Sequence, residues 1–322
     1  MDEAIQFLSI LVKLERDTMA LARMLLTPAL LAGLIVAPAS AREITHAMGV
    51  TDVPDNPQRI VVLTNEGTEA LLAVGITPVG AVKSWLGDPW YEHIAGEMAG
   101  VTMIGEESAV NLELLVALEP DLILANKSRH EAIYEQLSAI APTVVSERLR
   151  GDWKINMELY TDAAGKGEEG KAALAAFDAR VAELSDALGD SLEEEISIAR
   201  FMAGQTRIMF KDSFSGLILE QLGFKRPPTQ DKAEFAEEIT KERIPEFEGD
   251  RLIYFTYETG NGEGNSQAQD WLADPLWQNL EVVKAGKVHE VSDAIWNTAG
   301  GYIAANLLLD GIESIYGLAS TR

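Results

Sequence analysis

The sequence predicts an α/β protein of two Rossmann-like lobes joined by one long helix, and three observations carry that prediction. Short apolar runs alternate with amphipathic segments from Arg59 onward, the pattern of a parallel sheet covered by helices. One long amphipathic stretch near the middle breaks the rhythm. After it the alternation restarts, and a phrase of the first half returns: "NLELLVALEPDLILA" (111–125) and "TKERIPEFEGDRLIYF" (240–255) each set a glutamate, Glu113 or Glu242, eight residues before an aspartate, Asp121 or Asp250, that introduces an apolar run.

Taken in order, "RIVVL" (59–63) has the length and continuity of a buried strand, and "EGTEALLAVG" puts Leu71, Leu72 and Val74 on a helix stopped by Gly75. "TPVGAV" reads as the next strand. "NLELLVALEP" is a short helix closed by Pro120, with Leu112, Leu115 and Leu118 inward, and "DLILA" follows as a strand. "RHEAIYEQLSAIAPTVV" gives a helix through Ile133, Leu137 and Ile140 and then a strand. In "EEGKAALAAFDARVAELSDALGD", Leu174, Phe177, Val181, Leu184 and Leu188 recur at three and four residues, which predicts one helix of about 20 residues and about 30 Å. The second half reads as strands at "SIARFM", "RIMF", "DRLIYFTYE" and "VHEV", a helix over "SGLILEQLGF", and a last helix through "GGYIAANLLLDGIESIYGL". The expected boundaries are a first lobe over 42–165, a connecting helix over 166–190 and a second lobe over 191–322. A helical bridge resists wide bending, so small lobe motions are expected.

With 47% apolar and 24% charged residues, the 322-residue chain has the material for one large core or two ordinary ones. Its first part is set apart. "MALARMLLTPALLAGLIVAPASA" (19–41) has a basic Arg23, an apolar core and Ala39-Ser40-Ala41, a secretory signal with cleavage expected after Ala41. The apolar stretch from Leu25 to Ala37 is short for a bilayer span. A protein exported to the periplasm and not membrane-embedded when mature is expected. The sequence has no cysteine, hence no disulfide, thiolate metal site or lipid-modified cysteine. The net charge of −25 falls only to −24 on cleavage, because the first 41 residues carry four acids and three bases. Such a field disfavours nucleic acid and anionic lipid as partners; it suits a saline habitat and plain solubility equally.

"NPQRIVVLTNEGTEALLAVGITPVGAV", "NLELLVALEPDLILA", "YEQLSAIAPTV", the central helix and "WNTAGGYIAANLLLDGI" together resemble the periplasmic substrate-binding proteins of ABC importers for ferric siderophores and cobalamin. "NKSRHEAIYEQLS", "RFMAGQTRIMFKDSFSG" and "FTYETGNGEGN" are most similar to the branch that takes citrate-based or hydroxamate siderophores. The resemblance implies two lobes bridged by a helix, a ferric siderophore as ligand, no cofactor, no catalysis, and a monomer that delivers its cargo to an inner-membrane permease dimer with its ATPase. It also implies that Glu113 and Glu242 dock on permease arginines, one acid from each lobe. The bland alternative is that each glutamate only favours the start of a short helix.

A siderophore supplies the iron ligands itself, so the protein needs cations for the oxygens and aromatics for the organic skeleton; the planar arginine fork suits carboxylates best. Among only 26 basic residues, Lys83, Lys127 and Arg129 stand just after strands, at the edge where α/β sheets bind ligands. Arg200 and Arg207 flank the first turn of the second lobe, and Lys211 follows closely. Arg129 and Arg207 lead the candidates, followed by Lys83 and Arg200. Each has an ordinary surface ion pair as its bland reading. Tyr257 ends a strand and Trp296 precedes a helix start, so both are candidate walls, and Trp85, Trp90 and Tyr91 lie in the loop after Lys83, where packing is the preferred reading for Trp90. "ETGNGEGN" lacks G-x-G-x-x-G spacing and reads as a rim loop.

Rival readings rest on thinner signals. A direct zinc or manganese binder needs converging histidines and carboxylates, but His46, His93, His130 and His289 are scattered. Haem would draw an axial ligand from Tyr91, Tyr257 or His130, and cobalamin suits the basic cluster less well. An α/β hydrolase would use Ser213 or Ser215, yet "KDSFSGL" lacks the leading glycine of a nucleophile elbow.

Overall fold

The computed structural model describes residues 41–149 and 151–320. Apart from Ala41, the predicted export signal lies outside them.

A hairpin absent from the sequence reading comes first, β1 Ala41–His46 against β2 Gly49–Pro54. The first lobe follows with β3 Ile60–Val62, α1 Asn65–Ala73, β4 Gly80–Ala81, β5 Thr102–Met103 and a two-residue ribbon, β6 Gly105–Glu106 with β7 Ala109–Val110. Then come α2 Leu112–Ala117, β8 Leu122–Asn126, α3 Lys127–His130, α4 Tyr134–Ile140, β9 Thr143–Ser146 and α5 Trp153–Ala163. Its sheet is wholly parallel in the order β5-β4-β3-β8-β9. β3, β8 and β9 are buried throughout, which is why they read as unbroken apolar runs. The initial hairpin shields the β9 edge, where the Ala47 amide donates to Val145 O and Thr51 Oγ1 to Thr143 O.

The predicted connecting helix is α6 Gly167–Leu188, 22 residues long, with the expected apolar stripe buried. The second lobe holds β10 Ile196–Met202, β11 Gln205–Met209, α7 Phe214–Leu222, β12 Ala236–Glu238, β13 Arg251–Thr256, α8 Glu263–Leu272, α9 Pro275–Gln278, α10 Glu281–Lys284, β14 Val288–Val291 and α11 Tyr302–Tyr316. Its sheet, β12-β11-β10-β13-β14, is mixed rather than parallel: β10, β13 and β14 run together while β11 and β12 oppose their neighbours. Only Ala203 and Gly204 separate β10 from β11, and a parallel crossover needs a dozen residues or more. Gly204, at φ +67°, makes the tight turn. One apolar core takes Leu124 from the first sheet, Phe177 from α6 and Ile198 from the second, and α11 packs on α1, α5 and α6.

The repeated phrase has a clear structural half. Asp121 accepts from the amides of Gln58 (2.7 Å) and Arg59 (2.8 Å), tying the start of β8 to that of β3. Asp250 accepts from the Glu195 amide at 2.9 Å, tying β13 to β10 in the same way. The aspartates fasten equivalent parallel strand pairs in the two lobes. The glutamates stand free of that job: both are exposed, Glu113 in the first turn of α2 and Glu242 in the 3-10 turn Lys241–Phe247.

Candidate functional site

The strand ends of both lobes face one cavity. Arg129 reaches it from α3, immediately after β8, while Arg200 and Arg207 come from β10 and β11. These two are direct partners across the antiparallel ladder, an arrangement that costs free energy unless the charges are balanced. Arg200 is balanced: its Nε donates to Asp293 Oδ2 at 2.6 Å and its Nη2 to Oδ1 at 3.2 Å, and both residues are buried. Burial raises the Asp293 pKa, and the adjacent guanidinium works against that rise. Arg200 also lies 5.1 Å over the Tyr257 ring. Arg207 forms no ion pair among the described residues, Glu238 across β12 included; its hydrogen-bond partner is Gln205 Oε1 at 3.3 Å.

On the facing wall, Arg129 Nε lies 3.6 Å from Glu107 Oε2, and its guanidinium sits 5.7 Å from the centre of the Trp85 ring. Glu107 is buried and its Oε1 accepts from the Asn65 amide (2.8 Å) and side chain (3.0 Å). His130 steadies that glutamate from behind. Its Nδ1 accepts from the Asn126 amide, so Nε2–H donates to Glu107 O at 2.9 Å. Burial pushes the His130 pKa down to about 4, keeping the ring neutral. A second buried acid, Glu66 at the start of α1, also lines the cavity and accepts from Asn156 Nδ2 at 2.6 Å. Burial is the main force raising its pKa well above the carboxylate range.

Lys83 and Tyr257 line an adjoining cavity that shares Trp85 and Glu107 with the first. The arginine cavity alone holds about 180 Å³ of water-accessible space and its neighbour about 550 Å³. Small-molecule sites run to about 300–1,000 Å³, so the arginine cavity alone is too small for such a ligand, and one bound by the arginines has to extend into the adjoining space. The lobes touch on either rim: Tyr257 Oη donates to Trp85 O at 3.3 Å, and Arg148 pairs with Asp212 at 3.1 Å. The "ETGNGEGN" rim is tied around Glu258, whose carboxylate accepts from the amides of Gly260, Gly262 and Asn265.

Trp296 does not wall the site. It is 2% exposed and packed in the core against Gly311, because the π-helical turn Ala294–Thr298 turns the indole inward. Asn297 to Gly300 line the cavity in its place. Lys127 and Lys211 are ordinary surface cations, paired with Glu147 and Asp231. Ser213 and Ser215 are fully buried, the former capping α7. His46 bonds Thr51, His93 pairs with Glu69, and His289 accepts from Arg251. Among the described residues no group of three or more His, Cys, Asp or Glu is placed to hold a metal ion, and no helix is long and apolar enough to cross a membrane. Sequence reasoning missed Asn65, Glu66 and Glu107. The first two stand just after β3, and the strand-end rule applied to every polar residue would have found them.

Two helix-bridged lobes with a basic and aromatic cleft define a ligand-capturing protein of the periplasmic binding class. Residues 60–294 match the family model described as "Periplasmic binding protein", and the chain belongs to that family. It is 50% identical over 291 residues to the "probable siderophore-binding lipoprotein YfiY" of Bacillus subtilis, covering 87% of this chain and 89% of that one. The "Fe(3+)-citrate-binding protein YfmC" of the same organism is 30% identical over 264 residues, 81% of each chain. Among solved structures, Staphylococcus aureus SirA complexed with staphyloferrin B superposes with a TM-score of 0.79 at 32% identity, covering 86% of this chain and 99% of that one.

Proposed function

We propose that the protein captures a ferric siderophore of citrate or hydroxamate type between its lobes and delivers it to an inner-membrane ABC permease with its ATPase. The observation that carries this reading is the convergence of Arg129, Arg200 and Arg207, from both lobes, on one cavity beside Trp85. Three guanidinium groups suit an anionic, oxygen-rich complex, and the ring surfaces of Trp85 and Tyr257 suit its organic skeleton. The relatives named above support the same cargo class. Lys83 would contact the ligand from the adjoining cavity. The mature protein would work as a periplasmic monomer, cut after Ala41, with no cofactor and no catalytic step.

Tryptophan fluorescence titrated with ferric citrate, ferric hydroxamates, haem and cobalamin tests the cargo. One ferric complex should quench saturably, and Arg129→Ala and Arg207→Ala should each weaken it at least tenfold. Binding of haem alone would overturn the reading. Glu113 and Glu242 would dock on the permease, a role supported by their exposure and, for Glu113, by the exposed Leu114 and Val116 beside it. Acids at such a rim steer and orient more than they add affinity. Glu113→Lys with Glu242→Lys should abolish uptake at unchanged ligand affinity; normal uptake by the double variant would refute the docking role.

A further inference from the structure

Glu66 is an odd residue to find in a site for an anion. It lines the arginine cavity, its side chain is almost wholly buried, and it forms no ion pair among the described residues. Asn156 Nδ2 donates to one carboxyl oxygen. The other oxygen has no hydrogen-bond partner among the described residues, and it is not sealed from the cavity. The surroundings argue against a charge on it. Its own helix contributes Glu69, the β6–β7 turn Glu107, the segment before α5 Asp152, and α5 the Tyr160 hydroxyl. The cations of the cavity are engaged elsewhere: Arg129 faces Glu107, and Arg200 is locked to Asp293. Arg207, the third, forms no hydrogen bond or ion pair with Glu66 among the described residues; its hydrogen bond goes to Gln205.

We propose that Glu66 presents a protonated carboxyl to the cavity and donates a hydrogen bond to an anionic oxygen of the bound complex, so that capture of the ligand requires this proton. The inference rests on the ligand class argued above and adds its chemistry: an oxygen acceptor, not an amine, sits against α1. An ionised Glu66 would repel that oxygen. The proton stays on Glu66 in the complex. Where the free protein has lost it, binding draws one proton from solvent. Burial and the nearby acids, which raise the pKa, agree with this assignment.

Glutamine makes the test sharp, since its Oε1 keeps accepting from Asn156 while its Nε2–H replaces the acid O–H. Ferric citrate and ferric staphyloferrin B serve as probes, titrated from pH 6 to pH 10 in parallel with circular dichroism to follow folding. Glu66→Ala should weaken binding about tenfold at pH 7, and Glu66→Gln should recover most of that loss. On the alkaline side the wild type should lose about tenfold in affinity per pH unit beyond the Glu66 pKa, as one-proton linkage requires, and Glu66→Gln should lack that component. Glu66→Gln binding as poorly as Glu66→Ala would overturn the proposal, because an ionised acceptor would then be what the ligand needs. Infrared difference spectra of the proteins, free and loaded with ferric citrate, give an independent decision. A protonated-carboxyl C=O band present in the wild type and absent from Glu66→Gln supports the proposal, and its absence from both the free and the loaded wild type sinks it. If neither complex binds the wild type, the cargo reading fails by itself while the infrared band still decides the state of Glu66.

Discussion

Removing the aspartate of the repeated phrase should cost stability in both lobes, and by unequal amounts that the geometry sets. Asp121 takes two amides, Gln58 at 2.7 Å and Arg59 at 2.8 Å, whereas Asp250 takes one, Glu195 at 2.9 Å. A hydrogen bond to a charged group contributes about 1.5–3 kcal/mol, and the lower end applies at partly exposed sites such as these. Asp121→Ala is therefore expected to cost about 3 kcal/mol and Asp250→Ala about 1.5 kcal/mol. The neighbouring ladder bonds from the Asp121 amide to Arg59 O and from the Asp250 amide to Glu195 O survive in both variants, so the fold persists. Because one core spans both lobes, each variant should unfold in a single transition. The assay is urea denaturation followed by tryptophan emission, with the midpoint shift read at constant slope. Asparagine at position 121 should recover one of the two bonds. Equal losses for the two alanine variants, or a larger loss at Asp250, would refute the counting of amides. Losses within error of zero would show that the aspartates do not hold the strands.

Further outcomes follow from buried charge. Asp293→Ala leaves the Arg200 guanidinium buried without its partner and should destabilise by about 3–5 kcal/mol, read as a fall in melting temperature, with Asp293→Asn milder. For Glu66 the folded pKa is raised, so the folded state binds the extra proton, and stability falls as pH climbs from the unfolded value of about 4.3 toward the folded one. Glu66→Gln should gain on the wild type by about 1.4 kcal/mol per pH unit through that window in urea melts; a constant difference would refute the linkage. His130 has the opposite sign. Its pKa drops to about 4, so its share of stability is complete above about 6.5 and is lost as pH falls toward 4, a span worth about 3 kcal/mol. His130→Gln should flatten that acid limb, and an unchanged acid limb would count against it.

The two lobes were legible because both pieces of evidence are local: unbroken apolar runs where strands are covered on both faces, and a 3.6-residue stripe along α6. The mixed second sheet was implicit in the spacing of "SIARFM" and "RIMF", which leaves room only for a turn. Arg129, Arg200 and Arg207, which line the cavity, were singled out by asking which cations of an acidic chain stand just after a strand or beside the first turn of the second lobe. Asking only about cations is also why the buried acids were missed, since Glu66 looks in sequence like any helix-opening glutamate. Trp296 failed for a different reason. A π-helical turn shifts side-chain direction relative to a regular helix, and no periodicity over five residues announces it. The repeated phrase was visible, but its two acids have different neighbours, and only tertiary pairing separates the one that fastens strands from the one left facing solvent.

The ladder pairing of Arg200 with Arg207 has a consequence for the second sheet. Two like charges stand abreast on adjacent strands, and of the two only Arg200 has an ion-pair partner among the described residues. The anionic ligand proposed above would then brace the two strands as well as be carried. Loading should tighten the second sheet itself, slowing amide exchange along β10 and β11. A starved receptor would be the softer molecule and the first to be cut by a protease, so that the supply of cargo would set the lifetime of its carrier.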